Sequence, residues 1–350
     1  HQIRVHLASK KLPIIGDKTY DPRRTIMKDS SQKIIDIVRS FPRQALHARY
    51  LAFKCPETDE EISYHPNCGY YRKDEARVGR SPKTDFYTAE SLGSVFSELV
   101  LGGIQEIIGE TFAQHHFVEI AAEPETGLLQ RLDPNKFPSL SASTIRCGDP
   151  IQINSTAPSI IFANEWLDAL PFHRLIFTNG KWQERGVSVA HDTPQEVLLN
   201  ELSAQVASKA HRLPANAPEG YCLDWPLEAE NALKNLFAHS WHGLLIFFDY
   251  GKAWTDLIEN CPAGTARTYF KHKAGNDLLE NIGSADITCD VCWTPLQAIC
   301  QSHCHTVQLE SQEAFFVQRG HRVAESIVTE SAGQFSPRRQ TLTELIHPAH

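Results

Sequence analysis

The sequence predicts an α/β fold: a mostly parallel sheet with helices on both faces. Three observations predict it. Short apolar runs of strand length recur at HHFVEIA (115–121), SIIFANE (159–165) and GLLIFFDYG (243–251). Segments with a helical apolar rhythm lie between and around them, and strands alternating with helices give parallel pairs joined by crossovers. GLLIFFDYG is almost wholly apolar, as a strand covered on both faces must be.

The elements follow in chain order. Residues 1–20 are basic and irregular. Residues 29–54 carry a helical rhythm through Ile34, Ile37, Val38, Phe41, Leu46, Tyr50 and Phe53, which Pro42 splits in two. Residues 55–82 are polar and turn-rich. Apolar residues at 92, 95, 96, 99, 100, 104, 107 and 108 form one helical stripe, with Thr88 as its expected N-cap and Glu90 in its first turn. HHFVEIA is the first strand of the sheet. A short helix is expected over 126–132, a second strand at STIRCGD (143–149) and a third at SIIFANE. RLIFTNGKWQERGVSV (174–189) alternates around Asn179-Gly180, the signature of a tight hairpin. Helical segments are expected near 194–211, 226–240 and 294–304, and a last strand near 313–318. The division expected is a helical and turn-rich region over 1–84, and a core over 85–350 with a hairpin and helical insertion at about 172–240.

Bulk properties exclude several classes. The 350 residues carry a net charge of −8, which argues against a nucleic-acid-coating protein. No apolar run approaches the ~20 residues of a bilayer span. The start lacks both the apolar core of a signal peptide and a Met, which predicts a trimmed chain. Nine scattered cysteines, an odd number, fit reduced thiols and a cytoplasmic location. ITCDVCWTPLQAICQSHCHTV spaces Cys289, Cys292, Cys300 and Cys304 so that four thiolates invite a zinc reading. The short gap between the two pairs must also hold a helix start, and buried free thiols are common in cores, so no metal is expected.

Ligands of such sheets sit at the carboxyl ends of the strands, which here read EIAAEPE, ANEWLDALP and FDYG. Asn164, Glu165 and Asp168 follow a buried strand, where polar groups either face a cleft or cap the next helix. Asp249 either faces that cleft or satisfies its own turn. Arg267, Tyr269 and His272 are candidate substrate or structural polar groups, on a strand for which a surface position is the commoner case.

The ordered series YHPNCGYYRKDEARVGRSPKTDFYTAE, VEI, ANEWLDALPFHR, LLIFFDYG, GTARTYFKHK and ADITCDV resembles the MidA-type methyltransferase family over most of residues 61–318. The resemblance implies a class I, Rossmann-like sheet and methyl transfer from S-adenosylmethionine, in one branch of the family to a protein arginine. It implies cofactor contacts from Asp85, Thr88, Glu119, Ala121, Asp149 and Asn164, and catalytic roles for Glu165, Asp168 and Asn164. A glutamate at 165 would accept two hydrogen bonds from a guanidinium. A protein substrate or assembly partner is the expected partner, with no nucleic acid and no membrane.

Two departures accompany the resemblance. Where the family has a glycine-rich loop, this chain has Ala121, Glu123, Pro124 and Glu125. Only 45 positions separate Glu119 from Asn164 (164 − 119), short for two βαβ units at ~30 residues each. Asp133 is then the one acid placed near a ribose-binding strand end. Two readings stay open: an active methyltransferase, and a methyltransferase fold kept as a binding or assembly factor.

Overall fold

A computed structural model describes residues 47–48, 93–122, 127–132, 137, 140–153, 157–190, 193–271, 273–282, 284–330 and 336–346. Asp85, Thr88, Glu90, Glu123, Pro124, Glu125, Asp133, His272 and nearly all of the expected N-terminal region lie outside them.

The strands are β1 (His47–Ala48), β2 (His116–Ile120), β3 (Ser141–Ile145), β4 (Ser159–Asn164), β5 (His173–Thr178), β6 (Lys181–Ala190), β7 (Thr193–Leu198), β8 (Cys222–Trp225), β9 (Gly243–Phe248), β10 (Gly251–Lys252), β11 (Arg267–Phe270), β12 (Lys273–Gly275), β13 (Asp286–Thr288) and β14 (Val291–Cys292). The α-helices are α1 (Ser94–Ile108), α2 (Ala204–Lys209), α3 (Leu227–Ala238), α4 (Trp254–Glu259), α5 (Trp293–His303), α6 (Gln312–Gln318), α7 (His321–Glu330) and α8 (Pro337–Leu345).

The central sheet has the order β3-β2-β4-β9, and all three pairs are parallel. Alternation along each strand splits its apolar residues between two cores. Phe117, Ile160 and Phe162, with Leu244, Ile246 and Phe248, pack against α1, α6, α7 and α8. Val118, Ile120, Ile161 and Ala163, with Leu245 and Phe247, pack against α3 and α5 through Leu233, Leu236 and Leu296. This is the two-faced burial that the apolar runs predict. β9 is covered on both faces but only partly buried, because it forms an edge among the described strands.

Between β4 and β9 the chain builds β5, β6, β7 and β8, which with the upstream β1 form a second sheet of order β1-β6-β5-β8, with β7 added to β6. Its pairs are antiparallel. The expected hairpin forms: Asn179 and Gly180 both take positive φ, at 53° and 73°, as a two-residue turn of this hand requires. Glu219 tightens the bend by accepting from the Asn179 amide at 3.1 Å.

Several expectations change. The stripe helix starts at Ser94 after Gly93, so Thr88 is not its N-cap, and Ile107 is exposed. Within the expected helical stretch 29–54, His47–Ala48 pair with β6 as a strand. Residues 127–132 form consecutive turns in place of a helix, because Glu119 takes the Leu128 amide that a helix start would leave to its own turn. The second strand begins at Ser141 and ends at Ile145, ahead of a turn at Gly148 with φ 85°. The segment expected to be helical from 194 is strand over Thr193–Leu198, and the helix covers only Ala204–Lys209. The edge of β6 claims β-branched Thr193 and Val197, a tertiary override of local rhythm. Residues 312–318 form a helix and not a strand: Ser311 caps it by accepting from the Ala314 amide at 3.1 Å. Phe315 and Phe316 then fill the core beside Phe96 and Phe248. A short apolar run alone does not separate these two states.

One close approach fixes α1 on its neighbours. A Cβ added at Gly103 would meet the Phe315 ring at 2.6 Å. Gly103→Ala is therefore expected to destabilise the chain by about 1–3 kcal/mol through overpacking, despite the better helix propensity of alanine. Urea unfolding measures it; an unchanged or higher midpoint would show that the ring has room to move.

Candidate functional site

The parallel register aligns the carboxyl ends of the central strands. Ile120 faces Ile145 on one side and Ala163 on the other, and Asn164 faces Phe248. Asn164, Ala121 and Asp249 therefore leave the sheet at the same end. Two strands finish in the same unusual way: Ala121 after β2 has φ 61°, and Glu165 after β4 has φ 48°. Left-handed backbone at a non-glycine residue is costly and gathers at functional turns. Ala121 takes a backbone bend that a glycine would adopt at lower cost.

Glu119 does not face open space. Its carboxylate is buried and accepts the Leu128 amide with both oxygens, at 3.0 and 2.9 Å. It ties the end of β2 to the far side of the loop that follows. A Cβ at Gly127 would come within 2.8 Å of Glu119 Oε2, so the one glycine left in this loop gives the carboxylate its room. Asp149 sits past the end of β3, in a turn closed by its amide on the Arg146 carbonyl at 3.0 Å.

The turn after β4 carries the acidic candidates. The Glu165 amide donates to the Phe248 carbonyl at 2.8 Å, which locks this turn to the end of β9. Trp166 and Leu167 are buried beneath it. Asp249 answers from β9. Its Oδ2 accepts from the Leu167 amide at 2.8 Å and from the Asp168 amide at 3.4 Å, and its Oδ1 accepts from the Tyr250 amide at 2.9 Å. Asp249 takes the backbone reading: it satisfies amides in its own turn and in the turn after β4.

Asp168 is buried, and its Oδ1 has no hydrogen-bond partner among the described residues. Burial pushes its carboxyl well above the usual carboxylate range, and nearby Asp249, Asp286 and Asp290 push further, while Arg267 opposes them. Burial likewise raises Asp249 to about 7; the Glu165 charge adds to this, and the three amide donors resist it. The turn is thus a concentration of carboxylates held against their solvation preference, a pattern that gathers at functional sites.

Distant segments close this end of the molecule. Arg267 of β11 donates to Asp290 Oδ1 at 2.7 Å and lies over the Tyr250 ring at 5.5 Å. Lys252 reaches Asp290 Oδ2 at 3.2 Å. The Cys289 amide donates to the Asp168 carbonyl at 3.1 Å, and the Val291 amide to that of Tyr250 at 2.8 Å. Asp224 of the second sheet accepts from the Thr265 and Ala266 amides, both at 2.8 Å, and so fixes the approach to Arg267. The structure therefore moves Arg267 from an expected surface strand into the ring of charges around Asp168. Asp286 and Asp290 were not foreseen; they lie in ADITCDV, where nothing local points to the β4 turn.

Of the cysteine cluster, Cys289, Cys292 and Cys300 are buried and Cys304 is partly exposed; burial raises the Cys292 thiol to about 12 and the Cys300 thiol to about 11. Among the described residues no group of three or more His, Cys, Asp or Glu is placed to hold a metal ion. No helix of the described residues is long and apolar enough to cross a membrane.

A parallel sheet with helices on both faces and polar turns at its carboxyl end defines an open α/β protein of the nucleotide-binding type. Solved structures share this fold. A likely methyl transferase of the COG1565 superfamily from Burkholderia thailandensis, bound to S-adenosyl-homocysteine, superposes with a TM-score of 0.69 at 22% identity over 83% of this chain and 82% of that one. An uncharacterized COG1565 protein from the same organism gives 0.63 at 20% identity over the same shares.

The chain belongs to a methyltransferase family: residues 101–310 match the family described as "Putative S-adenosyl-L-methionine-dependent methyltransferase". A curated relative, the Drosophila melanogaster mitochondrial protein arginine methyltransferase NDUFAF7 homolog, is 34% identical over 140 residues, 38% of this chain and 30% of that protein. A separate similarity spans 65 residues, 45% identical to ribosomal large subunit pseudouridine synthase D of Vibrio cholerae. That is 19% of this chain and a fifth of the synthase's length, and it assigns no activity here.

Proposed function

We propose that this chain transfers a methyl group from S-adenosylmethionine to a guanidinium nitrogen of a protein arginine. The observation that carries the reading is the carboxylate turn Glu165–Asp168, braced by Asp249 at the carboxyl end of the sheet. The arginine relative supports the choice of acceptor.

The left-handed bend at Ala121, with φ 61°, supports a cofactor site at this strand end, and Glu119 holds the return of the chain through Leu128. Ala121, Asp149 and Asn164 would then line the nucleotide and amino-acid ends, with Glu119 shaping the loop that cradles them. Asp85 and Thr88 remain in the proposal from the family resemblance. When bound, the cofactor supplies a methyl on a sulfonium, ready for in-line transfer.

The chain's own residues then act by placement. Glu165 accepts two hydrogen bonds from the guanidinium and holds its nitrogen on the line of attack. Asp168 backs Glu165 as a buried carboxyl of the same turn, and Asn164 orients the approach between cofactor and acceptor. The antiparallel sheet between β4 and β9 would offer the docking surface for a protein substrate or assembly partner.

Calorimetric titration with S-adenosylmethionine is the first test. Micromolar binding is expected, with tritiated methyl label appearing in protein arginines of a cell extract. An absence of heat at millimolar ligand would leave the reading without its cofactor and favour a binding or assembly role for the fold.

A further inference from the structure

We propose that Asp249 is a positioning residue for methyl transfer, its carboxylate clamping the Leu167–Asp168 turn so that Glu165 stands at the sheet end in a single orientation. This rests on the proposed function. The geometry favours the anion: both oxygens accept backbone amides, from Leu167 and Asp168 on one and Tyr250 on the other. A proton on Oδ2, which accepts two amides, would oppose an N–H, and a proton on Oδ1 would turn charge-assisted bonds into weaker neutral ones, so protonation loosens the clamp. The Glu165 amide on the Phe248 carbonyl and the Cys289 amide on the Asp168 carbonyl hold the same turn, and Asp249 adds the side-chain clamp between its Leu167 and Asp168 amides.

The charged groups around the clamp are Glu165 and Asp168 on the turn, Asp286 of β13, Asp290 ahead of β14 and Arg267 of β11, with Lys252 of β10 on Asp290. Burial first, and the Glu165 charge after it, push the clamp carboxyl up to about 7, against its three amide donors. As pH rises through about 7 the clamp closes.

Two readouts test this. Hydrogen exchange of the folded protein is followed at the Leu167 and Asp168 amides. In the unchanged chain their protection factors, corrected for intrinsic exchange, are expected to rise about tenfold between pH 6 and pH 8, the worth of a hydrogen bond to a charged acceptor. In Asp249→Asn they are expected to stay at the low value at both pH values. In parallel, the rate of tritium transfer at saturating S-adenosylmethionine is expected to fall about tenfold in Asp249→Asn and to lose its rise through pH 7, with cofactor affinity within about twofold. If Asp249→Asn unfolds, the pH response of the two amides in the unchanged chain carries the test alone. Amides with the same protection at pH 6 and pH 8 would overturn the clamp. Responsive amides in a chain that shows no cofactor heat would overturn the methyltransferase reading and leave the clamp as a feature of the turn. A transfer rate that keeps its pH rise in the variant would overturn the positioning role.

Discussion

Glu165→Gln is expected to lower methyl transfer by about 100-fold or more, with S-adenosylmethionine affinity left within about twofold; one preorganised charge-stabilising group typically contributes this much. The substitution keeps the shape of the side chain and the hydrogen bond from the Glu165 amide to Phe248, so the strained turn at φ 48° is retained. It removes the negative charge and one of the two acceptor oxygens that a guanidinium would use, and puts an N–H where the acceptor's N–H must point. Cofactor affinity should not follow, because in the proposal Ala121 and Asp149 hold that ligand from neighbouring strands. The pair of measurements is calorimetric affinity and initial transfer rate from tritiated cofactor. Normal turnover would show that Glu165 is a solvated turn residue. Joint loss of both would place it in the cofactor site and move the acceptor elsewhere.

Asp168→Asn is expected to stabilise the chain at pH 8 and to flatten its stability against pH. The sign follows from the direction of the shifts. Asp168 and Asp249 both have folded-state pKa values above their unfolded ones, so folding takes up protons at these groups. Their stabilising contribution is complete below about 4, the unfolded carboxylate value, and is lost as pH rises. For Asp249 that loss finishes near 7. Removing the Asp168 charge relieves its own burial and its repulsion of Asp249, Asp286 and Asp290. Thermal unfolding from pH 5 to pH 8.5 should show a shallower decline in Asp168→Asn and a Tm a few degrees higher at pH 8, the scale of about 1 kcal/mol in a chain of this size. Parallel curves would mean that solvent reaches Asp168 more freely than its burial implies. Global stability and the order of the Leu167–Asp168 turn thus move in opposite directions with pH: the anion strains the protein while it secures the turn. A site kept at a cost in stability is what a functional constraint predicts.

Much of this was legible in the residues. The apolar runs HFVEI, SIIFAN and GLLIFF mark strands covered on both faces, and Asn179-Gly180 names its own turn. These are local signals, set by a short apolar run or by two adjacent φ angles. The failures are local signals that met a competing partner. Thr193–Leu198 became strand because β6 offered an edge. Residues 312–318 became helix because Ser311 capped them and α1 received their rings. The turns at 127–132 replaced a helix because Glu119, nine positions upstream of Leu128, took its amide.

The sequence by itself determined the parallel sheet, the strand ends that carry Ala121, Asn164, Glu165 and Asp249, and the family likeness. Only the tertiary structure decided that Asp249, Arg267, Asp286 and Asp290 gather around Asp168. The reason is range. A strand's pattern is written in consecutive residues, whereas the field at one carboxylate is the sum of charges brought together from segments up to about 120 positions apart, and no local rhythm encodes that sum.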